Sequence, residues 1–223
     1  MEKGKLIVVE GACDGIGKST QYKLLKERLE KDGFIVTNHH FPSYGEYQAA
    51  PVEKYLHGDF GKPSDNDPEI INDLYAIDRF VTWNEKLKPK YEEGNIILLD
   101  RYTTSSLIYQ SALINNEEDK IKFINYVTEK EYKKYGIKEP DQVIFLNAPF
   151  DLVTNLRNKR KENDGISNDI HEQDIEFMKK VYESALFVAK YLKWDNINCN
   201  NLDEMRTIEE IHNEIYGLVR KRM

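Results

Sequence analysis

Cysteine is nearly absent: Cys13 and Cys199 are the only two in 223 residues, and they lie far apart in the chain. A disulfide framework is therefore excluded, and no CxxC or HxxxH spacing offers a structural zinc site. Neither is needed, since a chain of this size buries roughly 70% of the surface that its unfolded form exposes. Long hydrophobic runs are missing too. Strings such as Leu6 to Val9 and Ile96 to Leu99 span a few residues, against the roughly 20 of a membrane-crossing helix. Glu10, Asp14 and Lys18 interrupt the start of the chain, so no secretory leader is expected. The expected location is the cytoplasm, with both thiols free and no membrane association. An excess of positive charge is the remaining absence. Net charge is -7 and the basic residues are scattered rather than striped, which argues against nucleic acid as a partner. Small phosphorylated ligands stay open, because oriented backbone amides and a few local cations hold them whatever the overall charge.

What is present is an alternation of short β-rich strings with longer stretches of helical period. Strands are expected over 5–9, 34–37, 96–99, 143–146 and 197–199. The near-continuous apolar character of IILL and VIFL suits strands covered on both faces. Helices are expected over 17–31, where Tyr22, Leu25 and Leu29 share a face and Gly33 ends the run. Others are expected over 69–92, with Ile70, Leu74, Ile77 and Val81 at helical spacing, after Arg101, over 175–192, and from Thr207 onward. Thr207 with Glu210 three residues later reads as a capping box ahead of Ile208, Ile211, Ile215 and Val219. The sum is an α/β chain: a single three-layer, doubly wound domain on a parallel five-stranded sheet. Two stretches interrupt it. Residues 42–68 hold Pro42, Pro51, Pro63 and Pro68 and read as a loop-rich excursion with at most one short helix over 52–57. Residues 159–171, KRKENDGISNDIH, contain almost nothing apolar and have the composition of a lid, a binding loop or a disordered segment.

The strongest local signal is VVEGACDGIGKSTQ, in which a strand runs into glycines and then into a helix opening with Lys18, Ser19 and Thr20. This is the context of a phosphate-binding loop. Glycines let successive N–H groups turn toward phosphate, Lys18 adds a point charge, Ser19 offers a hydroxyl to Mg²⁺, and the helix start adds its dipole. The phosphates of a nucleotide would be held by Gly11, Ala12, Cys13, Asp14, Gly15, Ile16, Gly17, Lys18, Ser19 and Thr20. One irregularity stands out: counting back from Gly17, the first glycine of GxxxxGK[ST] falls on Ala12. Either alanine replaces glycine there or the loop holds an extra residue. Were the backbone at Ala12 to need a positive φ, its Cβ would carry a cost. The second signal is IILLDRY, an apolar strand ending in Asp100, the placement of a carboxylate that reaches a loop-bound Mg²⁺. Alone, an Asp after a strand is more often a helix cap or turn residue; together with Lys18 and Ser19 the metal role is the better reading.

With these residues in view, the chain resembles the thymidylate kinases, P-loop nucleoside monophosphate kinases that move the γ-phosphoryl group of ATP onto dTMP. The likeness runs through DRYTTSSLIYQ at 100–110, LYAIDR at 74–79 and PDQVIFLNAP at 140–149. Asn147 stands where the family usually has Asp, and Tyr44 where an FPxR segment beginning at Phe41 and Pro42 has its arginine. The resemblance implies a P-loop NTPase fold, an ATP and Mg²⁺ requirement, dTMP as acceptor and a homodimer. It implies an acceptor site of Phe41, Pro42, Tyr75, Arg79, Arg101, Ser105, Tyr109 and Gln110. Tyr75 would stack on the base and Arg79, one turn on, would hold the phosphate with Arg101. Tyr109 would crowd the sugar 2′ position, Gln110 would lie near the base, and Ser19 with Asp100 would hold the metal. Asp14, Lys18 and Arg101 would serve transfer, joined by cations of a lid at about 157–172, with Arg157, Arg160 and Lys161 as candidates. Each assignment has a plain counterpart: Tyr75 as a core aromatic, Arg101 as an ion-pair partner, Tyr109 and Gln110 as ordinary helix residues, and the lid cations as a solvated helix end.

Three functions remain open on these grounds: a thymidylate kinase, another deoxynucleotide or deoxynucleoside kinase on the same scaffold, and a nucleotide-binding switch without turnover. The switch lacks its guanine motif, since the string Asn158-Lys159-Arg160-Lys161 has no Asp. The kinase readings need no general base. A phosphate monoester has its second pKa near about 6 and is already largely ionised at neutral pH, in keeping with histidines His39, His40, His57 and His212 that have no catalytic context.

Overall fold

The computed structural model describes residues 3–155 and 175–223. Its centre is a parallel sheet of β1 (Lys5–Gly11), β2 (Val36–His40), β3 (Ile96–Asp100), β4 (Gln142–Asn147) and β5 (Asp195–Asn198). The spatial order is β2-β3-β1-β4-β5. Every neighbouring pair in it is parallel. Side chains alternate across a strand, so each strand feeds both faces. Ile7, Val9, Ile96, Leu98, Ile144 and Leu146 pack on one face with Leu25 and Leu29 of α1 (Lys18–Lys31) and Ile211, Ile215 and Val219 of α8 (Ile208–Lys221). On the other face Leu6, Val8, Ile97 and Leu99 pack with Trp83 and Leu87. Phe145, on that same side, meets α5 (Thr103–Tyr109), α6 (Glu117–Thr128) and α7 (Ile175–Tyr191). This is the expected three-layer arrangement.

Local differences from the sequence expectation have physical causes. β2 begins at Val36 rather than at 34, because Phe34 packs into the core beneath the sheet while the edge strand carries on through polar His39 and His40. The loop-rich excursion holds α2 (Ala50–Leu56). The helix expected over 69–92 is α3 (Pro68–Thr82), a π-helical turn (Trp83–Leu87) and α4 (Lys88–Glu92) in succession. Helix α6 was not anticipated; it is capped by Asn116, whose side chain accepts from the Asp119 N–H, and runs into a second π-helical turn, Glu129–Lys134. A small antiparallel hairpin, Asn200–Asn201 with Glu204–Met205, follows β5.

The orientation of α3 bears most on the site. Its apolar stripe does not face the core: Ile70 is 63% and Ile77 47% exposed. The opposite side, with Asn72, Asp78, Arg79 and Thr82, is buried. That polar side holds the segment after β2, through Ser43 N donating to Asp78 Oδ2 at 2.8 Å and Ser43 Oγ lying 3.1 Å from Thr82 Oγ1. Both cysteines are buried and outside any disulfide, and burial pushes the Cys199 thiol up to about 11. Among the described residues no helix is long and apolar enough to cross a membrane.

The capping box at α8 is formed as its sequence spacing requires, with Glu210 N donating to Thr207 Oγ1 and Thr207 N to Glu210 Oε2. Thr207→Ala is predicted to cost about 1 kcal/mol, read as a lowered urea midpoint with an unchanged slope; an unchanged midpoint contradicts the assignment.

Candidate active site

The site lies at the carboxyl ends of β1 and β3, beside the point where the strand order reverses, the usual crevice of open α/β sheets. β1 pairs with β4 as far as Gly11 opposite Leu146, and the Ala12 N–H continues that pairing by donating to the Leu146 carbonyl at 2.9 Å. Ala12 is fully buried and has no positive φ; within the loop the left-handed residues are Gly15 and Gly17. The irregular spacing is therefore an extra residue that prolongs the strand, and the cost anticipated for alanine does not arise. Gly17 then caps α1 with φ 95°, without a side-chain cap and with no acidic residue in the first turn. A helix start leaves its first N–H groups without intrahelical partners, which suits an anion.

Asp100 ends β3 opposite Val9 of β1 and His40 of β2. Its carboxylate pairs with the Lys18 ammonium on one side and accepts from His40 Nδ1 at 3.1 Å on the other. Burial alone would raise its pKa, but His40 and Lys18 hold it well below the usual carboxylate range. The Lys18 pKa is lowered as well, because burial and the nearby Arg101 charge outweigh the pull of Asp100 and Glu10. Among the described residues no three His, Cys, Asp or Glu side chains cluster as a metal cage. An ionised Asp100 with the exposed Ser19 hydroxyl is a donor set that fits Mg²⁺ held mainly by substrate phosphates with one or two protein oxygens.

A cavity of about 250 Å³ opens beside the loop. Phe41, Pro42, Tyr75, Arg79, Arg101, Ser105, Tyr109 and Gln110, gathered from separate segments, all line it, and so does Asp14. Tyr75 meets Tyr55 edge-on with ring centroids 6.3 Å apart. Arg101 sits at φ 65° and donates from Nη2 to Asp14 Oδ1 at 2.7 Å. The Tyr109 hydroxyl lies 3.5 Å from both Arg101 Nη1 and Asp14 Oδ2. Gln110 is buried and its Oε1 has no partner among the described residues. Tyr44, standing where an arginine was looked for, stacks on His40 with centroids 6.1 Å apart.

Arg79 is placed differently from its expected role. Its Nε and Nη2 donate to the two oxygens of Glu131, each at 2.7 Å, and Nη2 also lies 3.2 Å from Asn72 Oδ1 and 3.1 Å from Ser106 Oγ. The guanidinium is thus neutralised within the wall. Sequence reasoning missed Glu131, and also Glu10, which is fully buried and accepts from Thr104 Oγ1 at 2.9 Å and Ser105 Oγ at 2.5 Å. It likewise missed His40 and Ser106 in the cavity wall. A carboxylate inside an apolar strand was the available signal for Glu10. Arg157, Arg160, Lys161 and the rest of the lid expected at about 157–172 lie outside the described residues.

Residues 9–215 match the family model for thymidylate kinase. The thymidylate kinase of Plasmodium falciparum is 32% identical over 220 residues, covering 99% of this chain and 91% of that protein. The thymidylate kinase of a Thermoanaerobacter species is 31% identical, covering 98% of each. In fold, the chain is similar to the solved thymidylate kinase structure from Candida albicans, with a TM-score of 0.72 at 18% identity, over 98% of this chain and 92% of that one. A loop–helix anion site, a carboxylate at the end of the neighbouring strand and an adjoining cavity thus coincide with a match over nearly the whole length, and the chain belongs to the thymidylate kinase family of P-loop nucleoside monophosphate kinases.

Proposed function

We propose that this chain transfers the γ-phosphoryl group of ATP to dTMP, giving dTDP and ADP, with Mg²⁺ as cofactor. The observation that carries the reading is that Asp14, inside the phosphate loop, also lines the cavity and grips Arg101. A nucleotide on the loop and a second molecule in the cavity would therefore share one seam. Ser19 and Asp100 are the residues that would hold Mg²⁺, which when bound screens the charge of the phosphates. Lys18 and Arg101 add fixed positive charge where the two anions must approach. The acceptor oxygen is ionised at neutral pH, so alignment and charge screening replace proton removal.

Within the cavity, the acceptor phosphate is assigned to Arg101, which stays partly open to solvent at the loop end. Arg79 is reassigned to the base. Its charge is cancelled by Glu131 and only Nη1 is uncommitted among the described residues, an edge suited to a neutral carbonyl oxygen. The unpartnered Gln110 Oε1 suits an imide N–H beside it. Tyr75 supplies an aromatic wall and Tyr109 stands where the sugar would pass.

The exposed apolar stripe of α3 supports assembly as a homodimer, because Ile70 and Ile77 with half-buried Leu74 and Val81 form a face that the described residues leave uncovered. Sedimentation equilibrium is expected to give twice the 26.2 kDa chain mass. Ile77→Glu is expected to shift that mass toward the monomer with helical content retained, and a monomeric parent protein contradicts the assignment.

The direct test of activity is an ADP-release assay with Mg-ATP and a panel of nucleosides and nucleoside monophosphates. Turnover is expected with dTMP, lost on chelation of Mg²⁺, and lowered about 10³-fold or more by Lys18→Ala. Activity confined to nucleosides, or none with any acceptor, rejects the reading.

A further inference from the structure

We propose that Glu131 is a positioning residue of the acceptor pocket that acts through Arg79, fixing which edge of the guanidinium meets the bound nucleotide and cancelling its charge there. This deepens the assignment of the cavity to the acceptor and rests on it.

Glu131 breaks the pattern of its own helix. Ile124 and Val127 of α6 are buried, and the residue at i+7 from Ile124 would by period be another apolar contact. The chain instead puts a fully buried carboxylate there, on the π-helical turn Glu129–Lys134. Local departures of both kinds, a charge on an apolar face and a π turn, concentrate where function competes with packing. Burying an ion pair gains little stability over apolar residues of the same volume, so stability alone is a poor reason for it.

The geometry gives the reason. Arg79 is 2% and Glu131 0% exposed, and the pair is a two-pronged contact that leaves the guanidinium one orientation. Burial opposes the charged guanidinium, but Glu131 more than offsets this, so Arg79 stays ionised. Thr103 Oγ1 donates to Glu131 Oε2 at 3.1 Å, fixing the carboxylate in turn from α5, the helix that carries Ser105, Tyr109 and, next to its end, Gln110. Asn72 Oδ1 is turned to Arg79, and its Nδ2 is buried without a partner among the described residues. With Nε and Nη2 committed, Nη1 is the edge left for a molecule in the cavity. A neutralised arginine attracts an anion weakly and still donates well to a carbonyl.

The test is steady-state kinetics of the full chain for Glu131→Gln, Arg79→Met and the double variant, with KM measured separately for dTMP and ATP. Glu131→Gln is expected to raise KM for dTMP about tenfold or more while leaving KM for ATP within about twofold, the scale of a lost charged hydrogen bond. In the Arg79→Met background the same change is expected to have no further effect on KM for dTMP. An undiminished effect in that background, a matching rise in both KM values, or a raised KM with Arg79→Met but not with Glu131→Gln overturns the role of Glu131. Unchanged KM for dTMP in both single variants instead overturns the acceptor reading of the cavity. Should Glu131→Gln fail to fold, Glu131→Asp keeps the charge and withdraws it by one methylene. It is expected to raise KM for dTMP selectively, and an unaltered value overturns the proposal.

Discussion

The parallel register of β1 against β3 and β4 fixes where the phosphate loop lies relative to the carboxylate that ends β3. Val9 opposite Asp100 and Gly11 opposite Leu146 set the turn and the carboxylate at one edge of the sheet, and His40 opposite Asp100 brings in the third strand. From that edge the charges are arranged in opposed pairs: Lys18 with Asp100, Arg101 with Asp14, Arg79 with Glu131. The pairs differ in exposure, and the difference sorts their roles. The first two border the loop and remain partly open, so under the proposed function their cations would exchange a carboxylate for an incoming phosphate. The third is sealed, so its cation is held as part of a wall.

Helix α3 shows how the fold divides one helix between two tasks. Its polar side is turned inward, where it fastens the Phe41–Pro42 corner through Ser43 and presents Tyr75 and Arg79 to the cavity. Its apolar side is turned outward, which is unfavourable in an isolated chain and consistent with cover by a second copy. Under the proposed dimer, the site and the assembly surface would be two faces of one helix, and each would account for the orientation of the other.

Much of this was legible in the sequence because it depends on local pattern. The glycines before Lys18, the apolar string before Asp100 and the Thr207 and Glu210 box each sit in a few consecutive residues and carry their meaning with them, whereas the Tyr75 and Arg79 spacing marks a shared helix face but not what Arg79 meets. The cavity gathers the residues that family likeness named, from loops and helices far apart in the chain. What escaped depends on partners distant in sequence. Glu131 is 52 residues from Arg79, and Glu10 is 94 from Thr104. Each interrupts an apolar pattern locally, but nothing near either names its partner. His40 owes its place to strand order rather than to its neighbours, and the apolar stripe of α3 reads as a core face until the fold shows it on the outside. At Ala12 the sequence left two alternatives, and the hydrogen bond to Leu146 chose between them.

The central claim is that the loop and the cavity seat two nucleotides with their phosphates meeting at the Asp14 and Arg101 seam. A crystal structure of the protein with dTMP and a non-hydrolysable ATP analogue bound together tests it most directly. The account predicts the base against Tyr75, Arg79 and Gln110, its phosphate at Arg101, and the donor phosphates wrapped by residues 11–20. An empty cavity, or an acceptor phosphate seated on Arg79, contradicts it.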